Sequence, residues 1–456
     1  MARTAKKEQN LTIDEKLDQA LVPDVEQPYR IPANWRWAYI GKVSELYTGN
    51  SINEDVKQKK YYGQTEGLVY IATKDISFEG DIDYNTNVRI PEVSSFKVAP
   101  KNTALLCIEG GSAGRKIGFT NQPVCFVNKL CAFATEKMDS KYVYYFLKSH
   151  CFANQFEGKK HGLIGGVSVR ELSNICIAVP PFTEQNRIVD RIESLFAKLD
   201  EAKEKAQTVV DGFEDRKAAI LHKAFTGELT EKWRAICGLS LDGWENAPLE
   251  KVFQLRSGFT IEISDEKEFG SIPYVKVADM NLPDNKIQIT TSSRFVDDCP
   301  DSRIIPNGST IFPKRGGAIL TNKKRYVGVE KIIADLNIMA IMPITEKAFG
   351  WYGYYWMQSI DLRKLNNGSN VPQINNKDMV KQSVPTPPIE EQIEIVRVLD
   401  GLFSKEQQAK EAAEQVIDQI DSMKKTILAR AFRGELGTND PNDEPAIELL
   451  KQTVDK

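Results

Sequence analysis

The sequence has no long apolar run and few of the residues that mark secretion or metal binding. Its basic start, residues 1–7, is followed by Asp14, Glu15 and Asp18 where a secretory signal peptide would have an apolar stretch. No segment is typical of a membrane protein. The chain is therefore expected to be a cytoplasmic protein.

Cysteine and histidine are scarce, and their spacing does not match the common zinc sites. The seven cysteines are an odd number without a CxxC pair, and the three histidines form no ligand pattern. We expect free thiols and no structural zinc. The net charge of −3 neither favours nor excludes nucleic acid as a partner, because a small sum can hide local patches.

One segment of the chain occurs twice. The first copy begins Pro180-Pro181-Phe182-Thr183-Glu184-Gln185 and ends Ala224-Phe225-Thr226-Gly227-Glu228-Leu229. The second begins Pro387-Pro388-Ile389-Glu390-Glu391-Gln392 and ends Ala431-Phe432-Arg433-Gly434-Glu435-Leu436, and every matched residue lies 207 positions after the first. The two copies are therefore a duplication that has kept its register.

The residues between these ends follow an apolar heptad pattern in both copies. The first copy has one doubled step at Arg216, and the second is interrupted at Glu406. Each copy is predicted to be one long amphipathic helix, and the two helices can bury their apolar seams against each other. The seam positions are Ile188, Ile192, Leu195, Leu199, Ala202, Ala206, Val209, Phe213 and Ile220 in the first copy, and Ile395, Leu399, Leu402, Ala409, Ala413, Val416, Ile420, Met423 and Ile427 in the second.

The ends and the middle of the two helices carry further predictions. Thr183 is a candidate N-cap, and Gly227 and Gly434 stand where a C-terminal cap belongs. A helix of about 43 residues would be about 65 Å long. The small alanine side chains in the middle of both seams predict a close approach of the helix axes there.

The segments before the two helices repeat one strand-rich layout. In the first, short β-like runs cover 68–72, 104–108 and 124–127, with one helix-like run over 142–152. Matching residues in the second lie 204 to 210 positions later, so these domains drifted while the helices did not. The pairs are Trp35 and Trp244, Gly49 and Gly258, Tyr70 and Tyr274, Asp75 and Asp279, Gly110-Gly111 and Gly316-Gly317, and Tyr144-Tyr145-Phe146 and Tyr354-Tyr355-Trp356.

Through the Pro-Pro-x-x-Glu-Gln entry and the Ala-Phe-x-Gly-Glu-Leu exit of each helix, the chain from about 31 to 437 resembles the specificity subunit of type I restriction–modification systems. The resemblance implies an α+β fold, with two strand-rich mixed target-recognition domains separated by two long helices that form an antiparallel intramolecular coiled coil. The whole would be a pseudo-two-fold tandem repeat. The expected parts are a lead segment 1–30, target-recognition domain 1 over 31–181, a central helix 182–234, target-recognition domain 2 over 235–387, a C-terminal helix 388–437 and a polar tail 438–456.

The resemblance also implies a function. The chain would be a sequence-specific DNA-binding subunit that reads a bipartite target with one domain per half-site. The helix pair would space the domains, with half-sites about one helical turn, roughly 34 Å, apart, and would dock methyltransferase subunits. Expected partners are double-stranded DNA, two methyltransferase subunits and restriction–translocase subunits. No cofactor is expected in this chain, since S-adenosylmethionine, ATP and Mg²⁺ would belong to partner subunits.

Basic clusters near glycine turns and aromatic residues are the candidate DNA contacts. Lysine and arginine there can reach phosphates and guanine edges, although such runs often only keep a surface hydrated. The candidates are Lys57, Lys59, Lys60, Arg115, Lys116, Lys159 and Lys160 in the first domain, and Lys314, Arg315, Lys323, Lys324 and Arg325 in the second. Residues 367–374 are close to the family's Gly-Ser…Pro-x-Ile segment, whereas 162–167 lack the proline.

A self-sufficient DNA methyltransferase or nuclease is the alternative function, and a structural coiled-coil adaptor is a weaker third. Residues 179–182 resemble the Asn/Asp-Pro-Pro-aromatic motif that holds a flipped adenine, but Val179 cannot supply the hydrogen bond. The glycine turns match neither the GxxxxGK[ST] nor the GxGxxG spacing of phosphate-binding loops. No set of carboxylates and a lysine typical of a nuclease is visible. Glu184-Gln185 and Glu391-Gln392 are interpreted as first-turn helix residues and not as a catalytic pair. An adaptor would not need two diverged domains with basic loops.

Overall fold

A computed structural model of the protein describes residues 12–161, 165–365, 368 and 372–455. The chain divides into two compact units. The first comprises the residues up to Lys205 together with those from Val416 onward, and the second runs from Ala206 to Gln415. Each unit therefore combines one strand-rich domain with parts of both long helical segments.

The first unit is built on small sheets. Strand Arg36–Tyr39 pairs antiparallel with Cys176–Val179, which joins the two ends of the domain. A second sheet, all antiparallel, has the order Glu45–Thr48, Leu130–Ala134, Ala104–Cys107, Ile117–Phe119. A third has the order Arg89–Ile90, Leu68–Ile71, Val124–Phe126, Val98–Ala99, and its central pair is parallel. The three predicted strand runs are thus confirmed.

The helices of the first unit are mostly short. The predicted helix-like run over 142–152 is two helices, because Ser149 caps a new one by accepting the amide of Phe152 at 3.2 Å. The predicted polar tail contains a helix with buried Ala446 and Leu450, which pack with the domain core. The helices are Ile13–Ala20, Ile40–Val43, Glu54–Val56, the π-turn Lys57–Tyr61, Ser140–Leu147, His150–Glu157, Val169–Ser173 and Ala446–Val454, with 3₁₀ turns at Asp24–Glu26 and Thr73–Asp75.

The second unit repeats this plan. Strand Glu245–Pro248 pairs antiparallel with Ser383–Thr386. One sheet has the order Phe253–Ser257, Ile338–Pro343, Thr310–Pro313, Arg325–Val327, Gln288–Ile289, and another has the order Phe295–Val296, Ile272–Val275, Lys331–Ala334, Ile305–Pro306. The helices are Phe213–Phe225, Glu231–Cys237, Leu249–Val252, Gly350–Ser359 and Asn376–Val380, with 3₁₀ turns at Leu241–Gly243, Ile263–Asp265, Val277–Asn281, Pro283–Asn285, Asp301–Arg303, Gly317–Thr321 and Leu362–Leu365.

Matched contacts at the start of each long helix confirm the duplication residue by residue. In the first unit, Trp35 Nε1 donates to Glu184 at 2.7 Å, and Gln185 accepts the amide of Asp139 at 2.9 Å. In the second, Trp244 Nε1 donates to Glu391 at 2.9 Å. Gln392 likewise accepts the amide of Phe349 at 2.9 Å. The side chains of the two Glu-Gln pairs at the helix starts are all buried. Their interpretation as structural residues of the helix start, and not as a catalytic pair, is therefore confirmed.

The long helical segments differ from the prediction in one copy. The second is one helix, Ile389–Ala431, of 43 residues, whereas the first is Phe182–Asp211 followed by Phe213–Phe225. The break lies at Gly212, a poor helix former. The helix also begins one residue before the expected cap, so Thr183 lies in its first turn and donates to Asp443 at 2.9 Å. Gly227 and Gly434 have left-handed φ values of +84° and +75°, as their cap positions require.

Within each unit the two helical segments run antiparallel. In the first unit, Lys203 pairs with Asp421 at 3.0 Å and Asp200 with Lys424 at 2.5 Å. In the second, Arg216 Nε donates to Glu406 at 2.7 Å. The two polar positions that interrupt the predicted seams thus satisfy each other, and Arg216 also donates to the Val209 carbonyl at 2.8 Å beside the break.

The seams are only partly buried. Ile188, Ile192, Ile395 and Leu399 are fully buried, as predicted. In contrast, Ala409, Val416 and Met423 are exposed, so their predicted burial is wrong. Two helices cover only one side of each other, and the other side needs a third surface. In the first unit, Leu195, Leu199, Met423 and Ile427 instead line an open groove of about 630 Å³.

No helix of the described residues is both long enough and apolar enough to cross a membrane. All seven cysteines are free thiols, and four of them are buried.

Candidate nucleic-acid interface

In the first unit a glycine turn presents two of the candidate cations. The turn joins strands Ala104–Cys107 and Ile117–Phe119, and it is closed by hydrogen bonds from Gly114 N to Cys107 O at 2.8 Å and from Cys107 N to Lys116 O at 3.0 Å. Gly114 has a φ of +77°, and a Cβ there would lie 2.6 Å from the Phe156 ring. Glycine is therefore required for the turn to pack on helix His150–Glu157.

This contact brings together two of the predicted basic clusters. Lys159 and Lys160 follow the helix that carries Phe156, and Lys160 Nζ pairs with Glu157 at 2.5 Å. Glu109 of the glycine turn forms a β-bridge with Gly166, which also bridges His161. Arg115, Lys116, Lys159 and Lys160 thus lie on neighbouring loops. Residues 162–164, part of the predicted family segment, lie outside the described residues.

Arg115 and Lys116 both lie against an aromatic ring that sequence reasoning did not identify. The Phe78 ring centroid is 5.4 Å from Arg115 Cζ and 5.1 Å from Lys116 Nζ. Lys116 Nζ also donates to the Thr73 carbonyl at 3.1 Å, while Arg115 is exposed. The Phe78 side chain is 55% exposed. No sequence motif marks it, since it is a single aromatic residue within a polar turn.

The third basic cluster lies on another part of the first unit. Lys57 Nζ pairs with Glu54 at 2.5 Å, and Lys59 and Lys60 are exposed on the same π-turn. The turn is held by a hydrogen bond from Gly63 N to Asn87 O at 2.7 Å and by edge-on packing of the Tyr61 and Phe96 rings. These lysines are therefore placed beside residues 87–96.

In the second unit the matching glycine turn carries Lys314 and Arg315. Ile374 N donates to Lys314 O at 2.9 Å, and Gly316 N donates to Pro372 O at 2.8 Å. Arg315 is exposed and donates to the Gln373 side chain at 3.3 Å. Partial burial, with the nearby Arg315 charge, lowers the pKa of Lys314. The turn thus packs on the end of the predicted family segment, of which residues 367 and 369–371 lie outside the described residues.

The remaining cluster of the second unit is divided between surface and interior. Lys323 is half-buried and donates to Asn281 Oδ1. Arg325 is half-buried and donates to the carbonyls of Asn285 and Met280. Burial lowers the pKa of its guanidinium. Arg325 therefore holds two loops together and has few donors left for DNA.

Lys324 points into the protein, which corrects its assignment as a DNA contact. It is 1% exposed, and its ammonium donates to the Ile360 carbonyl at 2.6 Å and to Asn322 Oδ1 at 2.7 Å. Burial lowers its pKa to about 7. Since the unfolded chain keeps this proton up to about pH 10, stability from this group rises as the pH increases above about 7. A lysine run alone does not reveal which member faces inward.

The tetrapeptide that resembles a methyltransferase motif lies where a buried strand meets a long helix. Val179 is fully buried and pairs with Arg36 at the end of the domain-closing strand. Phe182 is the first residue of the long helix. The segment is a strand-to-helix junction, so its interpretation as a helix entry is confirmed. Among the described residues no group of three or more histidine, cysteine or carboxylate side chains is arranged to hold a metal.

Comparison with known proteins identifies the family and several relatives of this chain. A family model described as "Type I restriction modification DNA specificity domain" matches the chain twice, over residues 32–209 and 241–417. The EcoKI specificity subunit of Escherichia coli K12 is 24% identical over 436 residues, covering 89% of this chain and 90% of that one. The MjaVIII specificity subunit of Methanocaldococcus jannaschii is 24% identical over 443 residues, covering 91% and 95%.

Two solved structures share the fold. One, from a study of complex assembly and conformational transition of the type I restriction–modification system, has a TM-score of 0.67 and 19% identity, and the match covers 90% of this chain and all of that one. The other is the HsdS subunit from Thermoanaerobacter tengcongensis, with a TM-score of 0.63 and 20% identity over the same shares.

Proposed function

This chain belongs to the family of type I restriction–modification DNA specificity domains, and we propose that it is the non-catalytic, DNA-reading subunit of a type I restriction–modification complex. The observation that carries the proposal is the double match of the family model, each part of which ends in a long helix. Each strand-rich domain then reads one half-site of a bipartite target. The self-sufficient methyltransferase or nuclease is not favoured by any feature of the described residues.

The two glycine turns support one half-site per domain. Both project cations from a strand hairpin and both pack on the end of the segment that precedes the last strand of the domain. Their surroundings differ, since Phe78 lies beside Arg115 in the first unit and Gln373 beside Arg315 in the second. Domains with the same fold but different surface side chains can present different hydrogen-bonding groups to the base edges of DNA.

Partners supply the chemistry in this proposal. The helix pair spaces the two domains and docks two methyltransferase subunits, and restriction–translocase subunits join for cleavage. S-adenosylmethionine, ATP and Mg²⁺ bind those partners, and the complex acts in the cytoplasm, where the DNA is. The remaining candidate phosphate contacts are Lys159 and Lys160 near the first glycine turn, Lys57, Lys59 and Lys60 on the π-turn, and Lys323 in the second unit.

The test compares methylated adenines across the genome with and without this gene. A bipartite motif should lose its methylation when the gene is deleted and regain it on complementation. The purified chain alone should transfer no methyl group from labelled S-adenosylmethionine and should not cut DNA. Transfer or cleavage by the chain alone, or an unchanged methylation pattern after deletion, would contradict the proposal.

Charge-neutral variants at the glycine turns should change the salt dependence of DNA binding. Arg115→Gln, Lys116→Gln, Lys314→Gln and Arg315→Gln should each reduce the slope of log K against log salt by about one unit for every phosphate that is no longer neutralised. The measurement is a fluorescence anisotropy titration of a duplex that contains the motif at several salt concentrations. Lys324→Met is the matched control, because a buried lysine makes no phosphate contact. An unchanged slope in all four variants would refute the assignment.

A further inference from the structure

We propose that Phe78 is a base-contacting residue of the first half-site, a role that rests on the proposed function. Its phenyl ring would make an apolar contact with a base of duplex DNA, while Arg115 and Lys116 hold the flanking phosphates. The juxtaposition that suggests this is a half-exposed ring with two cationic groups within 5.4 Å of its centroid.

The turn that carries Phe78 is held by several hydrogen bonds. Ser77 N donates to Asp81 O at 2.9 Å, and Ser77 Oγ accepts the amides of Gly80 and Asp81 at 3.1 and 3.0 Å. Lys148 Nζ donates to the Glu79 carbonyl at 2.6 Å. A ring held on such a turn loses little conformational freedom when it contacts a ligand, and this favours binding.

Gly80 allows the Phe78 turn to pack closely on its neighbours. Its φ is +110°, and a Cβ at this position would lie 2.7 Å from the Tyr144 hydroxyl and 2.8 Å from the Ile117 carbonyl. The turn therefore packs directly against strand Ile117–Phe119, the strand that follows Arg115 and Lys116. The ring and the two cations are parts of one surface.

Contact with the two cations alone does not explain why the Phe78 ring is exposed. Cation–π contact stabilises a ring most when it is desolvated, but Phe78 is 55% exposed. An apolar ring kept exposed among cations matches a ligand that offers both phosphates and apolar base surfaces, such as the thymine methyl group or the face of a base step. Duplex DNA is that ligand, whereas an apolar protein partner would leave the two charges without counterions.

The second unit places a different side chain at the matching turn. Asp75 and Asp279 mark matching positions in the two units, because each accepts the amide of the residue three positions before it and so caps a 3₁₀ turn, at 2.8 and 2.7 Å. In the second unit the residue three positions after the aspartate, which matches Phe78, is the half-buried Leu282. An exposed phenyl ring in one domain and a half-buried leucine in the other would give the two half-sites different base preferences.

The experiment uses the full chain assembled with the methyltransferase subunits of the proposed complex. Anisotropy titrations compare a duplex that carries the methylated motif with a duplex in which the first half-site is scrambled. Phe78→Ala should weaken binding to the motif roughly 5- to 150-fold, with an unchanged salt slope and unchanged binding to the scrambled duplex. Phe78→Tyr should restore most of the affinity, because it keeps the ring.

Controls separate this role from phosphate contact and from folding. The Arg115→Gln and Lys116→Gln variants should show a reduced salt slope on both duplexes. Phe182→Ala, at an exposed phenylalanine on the first turn of a long helix, should leave both affinities unchanged. The Phe78→Ala variant should unfold at the wild-type urea midpoint.

Two results would overturn the inference while leaving the proposed function intact: motif affinity unchanged in Phe78→Ala, or an equal loss on both duplexes. If the wild-type complex does not distinguish the two duplexes, the proposed function itself fails, and the inference fails with it.

Discussion

Exchange of residues 31–180 for the matching segment of a relative with a different target is expected to change one half of the methylated motif and leave the other half intact. Both strands that close the domain, Arg36–Tyr39 and Cys176–Val179, lie inside this segment, so their pairing moves as a unit. The exchange therefore cuts no strand pair of the sheet that joins the ends of the domain. The measurement is the methylated motif in cells that carry the chimera.

The chimera must keep the contacts that cross the cut. Trp35 Nε1 donates to Glu184 at 2.7 Å, and the rings of Tyr142 and Phe146 pack on Phe432 at 5.1 and 5.5 Å between centroids. The donor segment should therefore retain Trp35, Tyr142 and Phe146, the three aromatic residues of these contacts that lie inside the exchanged segment. The reciprocal exchange of residues 245–386 should change the other half of the motif. A change in both halves, or in neither, would show that the domains do not read separately.

Substitution of Arg234 by methionine should destabilise the second unit by about 3–5 kcal/mol. Arg234 Nη1 lies 2.5 Å from Glu391 Oε1, and the two side chains are 7% and 1% exposed. Without the guanidinium, a buried carboxylate loses its charge partner, and such a loss typically costs this much. The Thr230 and Trp244 side chains, which also donate to Glu391, remain in place but carry no charge.

The measurement is urea unfolding followed by tryptophan fluorescence, with hydrogen exchange to assign the transition to the second unit. Arg397→Met is the matched control on the same long helix, because Arg397 pairs with Glu394 at the surface and is 70% exposed. That change should cost less than about 1 kcal/mol. A second change, Glu391→Leu in the Arg234→Met background, should recover part of the stability, since it removes the unpaired charge. If Arg234→Met and Arg397→Met have equal effects, the buried pair does not stabilise the unit.

The helical duplication was predictable because its constraints are local and periodic. The fixed 207-residue offset and the heptad pattern identify two helices and their ends, and the matched pairs Trp35–Glu184 and Trp244–Glu391 agree with that alignment. The interruption at Gly212 was not predicted, since a single glycine inside a strong apolar pattern is often tolerated. The heptad pattern also did not predict that Arg216 and Glu406 pair, because it shows where polar residues interrupt the seams but not which residue each of them contacts.

The sequence by itself determined the tandem repeat, the two long helical segments and the family, because each depends on spacing along one chain. Only the tertiary structure decided which basic residues share a surface. In the tertiary structure Lys324 is buried, Arg325 holds two loops together, and Phe78 lies against Arg115 and Lys116. Residues about 37 positions apart meet there because Gly80 lets one turn pack against strand Ile117–Phe119. Such contacts depend on backbone approach between distant segments, and no local pattern of residues encodes them.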